Sequence, residues 1–391
     1  MEILFVSHKY PPAVGGMEKQ SFELIRGMEP LARVHAIVYD GRESRLRFFR
    51  MLRRRILQTC RENPGISVIH FNDGLLAAVC LRHKGYEHLK RTATLHGLDV
   101  VFPNAWFQRY VLPQFNRLDL MIAVSRATAN ACIGRGLSPQ KVVVVPNGVD
   151  TGIADTPRRR DFPGYFEKQY GIGMAGKKVI VAMGRSVRRK GFSWFVREVL
   201  PQLSGDYVFL IVGPFHAKPS TTERILRFVP ASLRRQIELF LGFPTDEPEL
   251  RRLLAQPAIH ARARHLGKLP FEDIVQILSA ADAFVMPNIR IEGDMEGFGL
   301  VCLEACLCGA TVFAAATDGI TDAIQDQKNG FLLPAEDAAA WAGALNQLFK
   351  NPAASALPPG AARAYTLEHF SWGKMVEGYL AHFQRLGTTI L

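Results

Sequence analysis

Short apolar runs alternating with longer stretches of helical periodicity constrain this chain more than any other feature. Ile3–Val6, Val34–Val38, Val68–Phe71, Thr92–Leu95, Leu120–Val124 and Val142–Val145 form one series, and Val179–Met183, Val208–Val212, Ala283–Met286, Thr311–Ala315 and Phe331–Leu333 a second. Each run suits a strand buried on both faces, and the segments between them suit crossover helices. Repetition of that unit builds a parallel sheet covered by helices. The 391 residues exceed one ordinary core and suit two. The expected fold class is therefore α/β, with two Rossmann-like domains in tandem. The boundary is expected after Val145-Pro-Asn-Gly-Val-Asp150, where a strand gives way to a polar linker running to about Gly173. Ligands of open α/β sheets bind beyond the carboxyl ends of the strands, so two such domains facing each other would form a cleft. Residues from about His216 to Arg262 are richer in charge and proline and read as a helical elaboration.

With 48% hydrophobic and 21% charged residues the chain reads as ordered and globular, which excludes a disordered tail or a fibrous protein. A formal charge of +12 implies attraction to something anionic, whether nucleotide phosphates, lipid head groups or nucleic acid. The cysteines, Cys60, Cys80, Cys132, Cys302, Cys306 and Cys308, show neither a CxxC pair nor a disulfide-like framework, so buried free thiols in a reducing compartment are expected. Met1-Glu-Ile-Leu-Phe-Val-Ser7 has an acidic second residue and a short apolar run, which fits a first strand better than a secretory signal. No apolar stretch approaches the length of a bilayer span, and a cytoplasmic location is expected.

Chemistry concentrates first at Glu296-Gly-Phe-Gly-Leu-Val-Cys-Leu-Glu304, where two carboxylates flank a glycine-bounded turn that runs into an apolar stretch. Gly297 and Gly299 let the main chain approach a ligand closely. A helix starting near Leu300 would turn free N–H groups and its positive dipole end toward an anion. Carboxylates accept hydrogen bonds from sugar and ribose hydroxyls. The plain alternative is a loop-to-helix junction with a solvated Glu296.

The segment from Glu296 to Gly309 resembles the signature of the retaining, GT-B-fold glycosyltransferases of family 4 (glycosyl transferases group 1). The resemblance implies residues 1–155 as an acceptor-binding domain and 156–371 as a donor-binding domain, facing across a cleft. Phe370-Ser-Trp372 and the helix after it, about 372–391, resemble the closing helix of this fold, which packs back on the first domain. It further implies that Glu296 contacts the donor sugar and Glu304 the ribose, with Gly297, Phe298, Gly299 and Leu300 lining the donor.

Other segments extend the likeness. After Val179–Met183 come Gly184-Arg185 and then Arg188-Arg189-Lys190-Gly191, basic groups placed where a strand hands over to a helix. Arg grips phosphate oxygens bidentately and Lys supplies a compact charge, so a diphosphate is the natural occupant, against the alternative of a solvated basic loop. In the family an Arg and a Lys at these positions hold the donor pyrophosphate, which implies that role for Arg185 and Lys190. Pro11-Pro-Ala-Val-Gly15-Gly16-Met-Glu18 lacks the GxGxxG fingerprint but resembles the family's glycine-rich loop facing donor phosphates and acceptor, which implies contacts for Gly15 and Gly16. His96, just past Thr92–Leu95, stands where the family carries a histidine thought to contact the transferred sugar and its phosphate, and Asp99 joins it on the acceptor side. Ser125 and Asn147 match family segments that contact ligand or shape the loop and hinge. Asp318-Gly-Ile-Thr-Asp322 departs from the family's usual Gly-Gly-Ile-Pro-Glu, which leaves its sugar contacts open.

The family is thought to work by front-face attack, with the donor phosphate taking the acceptor proton. The implied catalytic group is then Arg185, Lys190, Glu296 and His96, with no side-chain base. Gly293-Asp-Met-Glu296 is only loosely like an Asp-x-Asp metal motif, so no obligatory metal and no cofactor are expected.

Arg45, Arg50, Arg53 and Arg54 belong to a basic segment, 42–61, in which Leu46, Phe49, Leu52 and Ile56 recur at helical spacing. Such a helix either lies on an anionic leaflet, its apolar stripe among the head groups, or packs that stripe on its own domain with the arginines solvated. Trp106, Phe107, Tyr110 and Phe115 add to the same surface or belong to the core.

The expected function is transfer of a sugar from a nucleotide diphosphate-sugar to a cell-envelope polysaccharide, lipopolysaccharide or lipid-linked acceptor, at the inner membrane face. A nucleotide-sugar epimerase on the same fold is one alternative. A basic nucleic-acid-associated protein is the other, with charge as its only argument, so no nucleic-acid partner is expected.

Overall fold

The computed structural model describes residues 1–216, 225, 228–230, 234, 237–238, 245–358 and 360–388. Of the helical elaboration expected over about 216–262, 21 of 47 residues lie outside the described ones, and the described part holds the helices Glu247–Leu254 and Pro257–His260.

Every apolar run named above forms a strand. The first sheet holds β1 (Glu2–Ser7), β2 (Arg33–Val38), β3 (Ile66–Phe71), β4 (Lys90–Leu95), β5 (Leu120–Ala123) and β6 (Val142–Val144). Their order is β2-β1-β3-β4-β5-β6, and every pairing is parallel. The second sheet holds β7 (Lys178–Met183), β8 (Tyr207–Val212), β9 (Ala263–Gly267), β10 (Ala283–Met286), β11 (Thr311–Ala315) and β12 (Phe331–Leu333). It is also parallel throughout, in the order β12-β11-β10-β7-β8-β9. Strand β9 is an addition to the expected set. Its sequence, Ala-Arg-His-Leu-Gly, is no apolar run because it lies at the sheet edge and is half-exposed beyond Ala263.

The chain divides into two compact units. One comprises Met1–Val149, Met295–Leu300 and Phe370–Leu391, and the other Asp150–Asp294 and Val301–His369. In the first, alternate residues of β1 serve opposite faces of the sheet, as a strand's two-residue period requires. Leu4 and Val6 join a core with Phe48, Leu52 and Ile56, while Ile3 and Phe5 join Leu24, Val376, Tyr379 and Phe383. Leu24 belongs to helix α1 (Gly16–Met28) and the last three to the closing helix Trp372–Thr388. The two helices approach so closely that a Cβ on Gly27 would stand 2.6 Å from Val376 Cγ2.

A polar seam crosses this second face. Gln20 Nε2 donates to the Tyr379 hydroxyl at 3.2 Å, which lies 2.8 Å from Thr94 Oγ1. Thr94 and Thr92 hold the two ring nitrogens of His70 at 2.9 and 2.7 Å. Burial pushes the His70 pKa down to about 3, with the nearby charge of His96 acting in the same direction. The ring is thus neutral at ordinary pH.

Helix α2 (Arg45–Glu62) decides one alternative left open by its sequence. Ser44 caps it, its side chain accepting from the Arg47 N–H at 3.3 Å. Phe48, Leu52 and Ile56 are fully buried, so the stripe at i, i+4 and i+8 is spent on the domain's own core. Of the apolar residues named from the sequence, Leu52 and Ile56 are core and Phe49 packs half-buried against it, whereas Leu46 stays exposed, so the packed alternative holds for most of the stripe, where burying each such side chain stabilises the fold by about 1.5–3 kcal/mol. Arg45, Arg50, Arg53 and Arg54 remain on the exposed face, with Leu46 beside them. The aromatics divide: Phe115 is core and Phe107 half-buried, whereas Trp106 and Tyr110 are exposed.

In the second unit Ile180, Ala182, Phe209 and Ile211 pack with Phe195, Trp341 and Leu345. The cysteines are free and all but Cys60 are buried, and Cys306 Sγ donates to the Asn329 carbonyl at 2.8 Å. Among the described residues no helix is long and apolar enough to cross a membrane.

Candidate active site

In open parallel sheets the ligand crevice lies beyond the carboxyl ends of two neighbouring strands whose connections leave in opposite directions. The strand orders place that point between β1 and β3 in the first sheet and between β7 and β10 in the second. Both points carry chemistry.

In the second unit, β7 ends at Met183 and the loop Gly184-Arg185-Ser186 follows. Neighbouring strands pin this loop. The Ser186 carbonyl accepts from the Asp246 N–H at 2.8 Å, and Ser186 Oγ lies 3.0 Å from His265 Nε2 on β9. Gly213, just past β8, presses on Gly184 so tightly that a Cβ there would fall 1.9 Å from the Gly184 carbonyl oxygen, a clash only glycine avoids. His265 Nδ1 accepts from the Gly267 N–H at 3.1 Å, and its ring stacks on Phe215 at 4.1 Å. Burial pushes its pKa down to about 3, so His265 is neutral and its Nε2–H donates to Ser186.

On that loop Arg185 and Arg188 are exposed, whereas Lys190 is buried and folds its stem back beneath Gly184, its Cε 3.3 Å from where a Cβ would stand. Arg189 is engaged differently. Its Nη1 donates to both oxygens of the buried Asp294 carboxylate at 3.1 and 3.2 Å. Asp294, the central residue of the loosely metal-like Gly293-Asp-Met-Glu296, is thus the partner of an arginine. Glu304 is half-buried on the helix Leu300–Cys308, which begins where the sequence placed it. Asp318 stands beyond β11 with φ of 50°, a left-handed position that the family's usual glycine would occupy without strain.

In the first unit His96 follows β4 and Asp99 lies three residues on. Asp99 Oδ1 accepts from the His96 main-chain N–H at 2.9 Å and Oδ2 from the Gly74 N–H at 3.0 Å. His96 Nε2 lies 2.9 Å from the Asn72 carbonyl oxygen, so that nitrogen carries the proton and donates, leaving Nδ1 for a ligand. Part of the Asp99 residue reaches solvent, yet burial of its carboxyl raises its pKa above the ordinary value. Asp99 therefore orients His96 and joins β4 to helix α3 (Gly74–Cys80).

Sequence reasoning missed two neighbours. His8 follows β1 and Asp73 follows β3, and His8 Nδ1 lies 2.8 Å from Asp73 Oδ2. Asp73 Oδ1 accepts from the Leu76 N–H at 2.9 Å and so caps α3. Burial opposes the charged form of Asp73, but the hydrogen bond and charge of His8, with the Leu76 N–H, outweigh it and hold the carboxyl below its usual pKa. The signal available was the one that singled out His96: a polar residue directly past an apolar strand.

The turn Met295–Leu300 groups with the first unit. A Cβ on Gly297 would lie 2.2 Å from the His96 carbonyl oxygen, and one on Gly97 2.9 Å from Met295 Cγ. The turn that carries Glu296 is thus brought against the His96 loop, with Gly299 at φ of 97° and the Phe298 ring 6.1 Å from Phe370. Gly16 lies near Leu300, whose Cδ1 is 3.5 Å from a Cβ position there. At Gly15 the structure puts the Glu18 carboxylate, with Oε2 2.3 Å from a Cβ position and Oε1 3.6 Å from Lys9 Nζ. An anion at that end of α1 would have to displace it. Ser125 caps the helix Arg126–Ile133 through the Thr128 N–H at 3.1 Å. Asn147 is buried beside Gly148, where a Cβ would meet the Trp372 nitrogen at 2.4 Å. Ser125 thus serves as a helix cap.

Comparison with known proteins agrees with this layout. Residues 12–152 match the model of Glycosyltransferase Family 4, and residues 177–351 that of Glycosyl transferases group 1. The structure of HepE from Anabaena in complex with UDP-glucose superposes with a TM-score of 0.72 at 20% identity, covering 98% of this chain and 100% of that one. The fold is GT-B. The D-inositol 3-phosphate glycosyltransferase of Acidothermus cellulolyticus is 29% identical over 253 residues, 64% of this chain and 49% of that protein. The GDP-mannose-dependent alpha-(1-6)-phosphatidylinositol monomannoside mannosyltransferase of Mycolicibacterium smegmatis is 27% identical, over 72% of this chain and 66% of that one. The matched stretch spans about half the length of the first of these relatives. The chain belongs to the family 4 (group 1) glycosyltransferases.

Proposed function

We propose that this protein is a retaining glycosyltransferase that moves a sugar from a nucleoside diphosphate donor to a cell-envelope glycan or lipid-linked acceptor. The observation that carries the reading is the pinned loop at the switch point of the second sheet, where Arg185 and Lys190 follow β7. Fixed cations on a loop held by three neighbouring segments stabilise charge growing on a departing diphosphate without reorganising at the moment of reaction. On this reading Glu296 positions the transferred sugar, Glu304 holds the ribose and His96 offers Nδ1 to the sugar or its phosphate. The donor phosphate accepts the acceptor's proton. HepE binds UDP-glucose and the mycobacterial relative acts on a phosphatidylinositol mannoside, which supports a nucleotide-sugar donor and an envelope acceptor. The exposed arginines of α2, with Trp106 and Tyr110, support contact with an anionic leaflet through charge and interfacial rings, at the cytoplasmic face.

Thermal unfolding with UDP-, GDP- and ADP-sugars tests the reading. One nucleotide series should raise the melting temperature, because a ligand of the folded state shifts the equilibrium by mass action. The stabilising donor, incubated alone, should give at most slow hydrolysis, whereas conversion to an epimeric sugar without acceptor would mark an isomerase. No stabilisation by any of the three would remove the reading.

A further inference from the structure

We propose that His8, fixed by Asp73, is an acceptor contact, and that the group it takes is a neutral hydroxyl of a polyhydroxylated ring. The proposal rests on the transferase reading above and names the acceptor chemistry of its first unit. Three observations converge on it.

The first is place. His8 ends β1 and Asn72-Asp73 ends β3, the two strands that flank the switch point of the first sheet, so this couple stands where the sheet's topology opens a ligand crevice. The second is orientation. His8 Nδ1 is buried against Asp73, and Asp73 is itself held at its other oxygen by the Leu76 N–H. With Nδ1 paired to Asp73, Nε2 is the polar ring atom left for another group, on a side chain 7% exposed. A ring so braced has its tautomer and orientation set from one side. The third is Asn72. It is fully buried, and among the described residues neither its Oδ1 nor its Nδ2 has a hydrogen-bond partner. A buried amide lacking both a donor and an acceptor partner is costly, and a hydroxyl, which both donates and accepts, satisfies it directly or through one water.

Charge selects the class. Asp73, held below its usual pKa, keeps its negative charge directly beside His8, so an anionic group on His8 itself would meet a carboxylate, while a hydroxyl meets hydrogen-bonding groups of both kinds. A sugar or cyclitol ring fits, and a phosphate terminus does not.

The test uses two substitutions that copy different ring atoms. In His8→Asn the amide reaches the place of Nδ1, and in His8→Gln it reaches that of Nε2. Saturation-transfer NMR is recorded on the full chain with myo-inositol and the methyl α-glycosides of glucose, galactose and mannose, with UDP, GDP or ADP present. At least one ring should receive saturation from the unsubstituted protein. H8Q should keep that binding, and H8N should weaken it by about tenfold, the loss expected for one hydrogen bond, while nucleotide affinity stays within about twofold in both. The reverse order, with H8N binding and H8Q not, would show that His8 serves only to pair with Asp73 and would overturn the proposal, as would binding of none of the four rings. If no nucleotide binds even the unsubstituted protein, the transferase reading itself has failed. If nucleotide binds normally and the two variants come out reversed, only the present inference has.

Discussion

Beyond the strands of the first sheet, histidines are set against aspartates, His8 with Asp73 and His96 with Asp99, each locked by main-chain N–H groups. Beyond those of the second sheet the charge is cationic, Arg185, Arg188 and Lys190 on one loop braced by Gly213, His265 and Asp246. The two sheets differ in strand order, two strands lying before the switch point in the first and three in the second, yet they obey the same rule for where a ligand sits. The contrast shows that the rule fixes place, and that the residues ending the strands fix chemistry. Arginine and lysine stay charged at any physiological pH and suit a diphosphate, whereas imidazole and carboxamide groups donate and accept and suit hydroxyls.

The largest effect that could break this contrast lies in the cationic loop. Arg185→Ala or Lys190→Ala should each lower kcat by about 10²–10³-fold, the scale of losing one preorganised donor to developing charge. Steady-state kinetics with the stabilising donor reads it, and a loss below tenfold in both variants would leave the loop no leaving-group role.

Acid sensitivity should be common to the two units and so sharpen the comparison. His70 in the first and His265 in the second are each depressed to about pKa 3 by burial. Below about pH 6.5 an unfolded histidine takes up a proton that the folded one refuses, so stability falls as pH drops from about 6.5 toward 3, by up to about 1.4 kcal/mol per pH unit for each. Urea unfolding at pH 7, 6, 5 and 4 should show that slope, and His70→Gln should reduce it. An unchanged slope in the variant would mean that the seam is not held by a neutral ring.

The smallest effect concerns the outer face of α2. Reversing Arg50, Arg53 and Arg54 to Glu should change folding stability by no more than about 0.5 kcal/mol per site, since exposed positions carry little. The same variant should lose sedimentation with vesicles containing phosphatidylserine, where each basic residue contributes about 1 kcal/mol. Equal sedimentation of variant and parent would dismiss that face as a membrane contact.

What was legible in the sequence was whatever repeats locally. The buried strands announced themselves as apolar runs, and the start of the helix at Leu300 followed from the glycine turn before it. Strand β9 did not, because an edge strand with Arg264 and His265 has no apolar signature. For α2 the periodicity was visible but its destination was not: a stripe of Leu46, Phe49, Leu52 and Ile56 fits a leaflet or a core, and the face that is buried is centred instead on Phe48, Leu52 and Ile56. Arg188-Arg189-Lys190 read as one basic cluster, yet Arg189 is committed to Asp294, more than a hundred positions away.

The sequence by itself determined two parallel α/β units, the family, and the loops that follow each strand, because these depend on patterns within a few residues of one another. The tertiary structure alone decided that His8 meets Asp73, that Gly297 lies on the His96 carbonyl, and that Gly213 braces Gly184. Those pairings join residues brought side by side only when separate strands end at one sheet edge, and no local periodicity encodes which strands become neighbours.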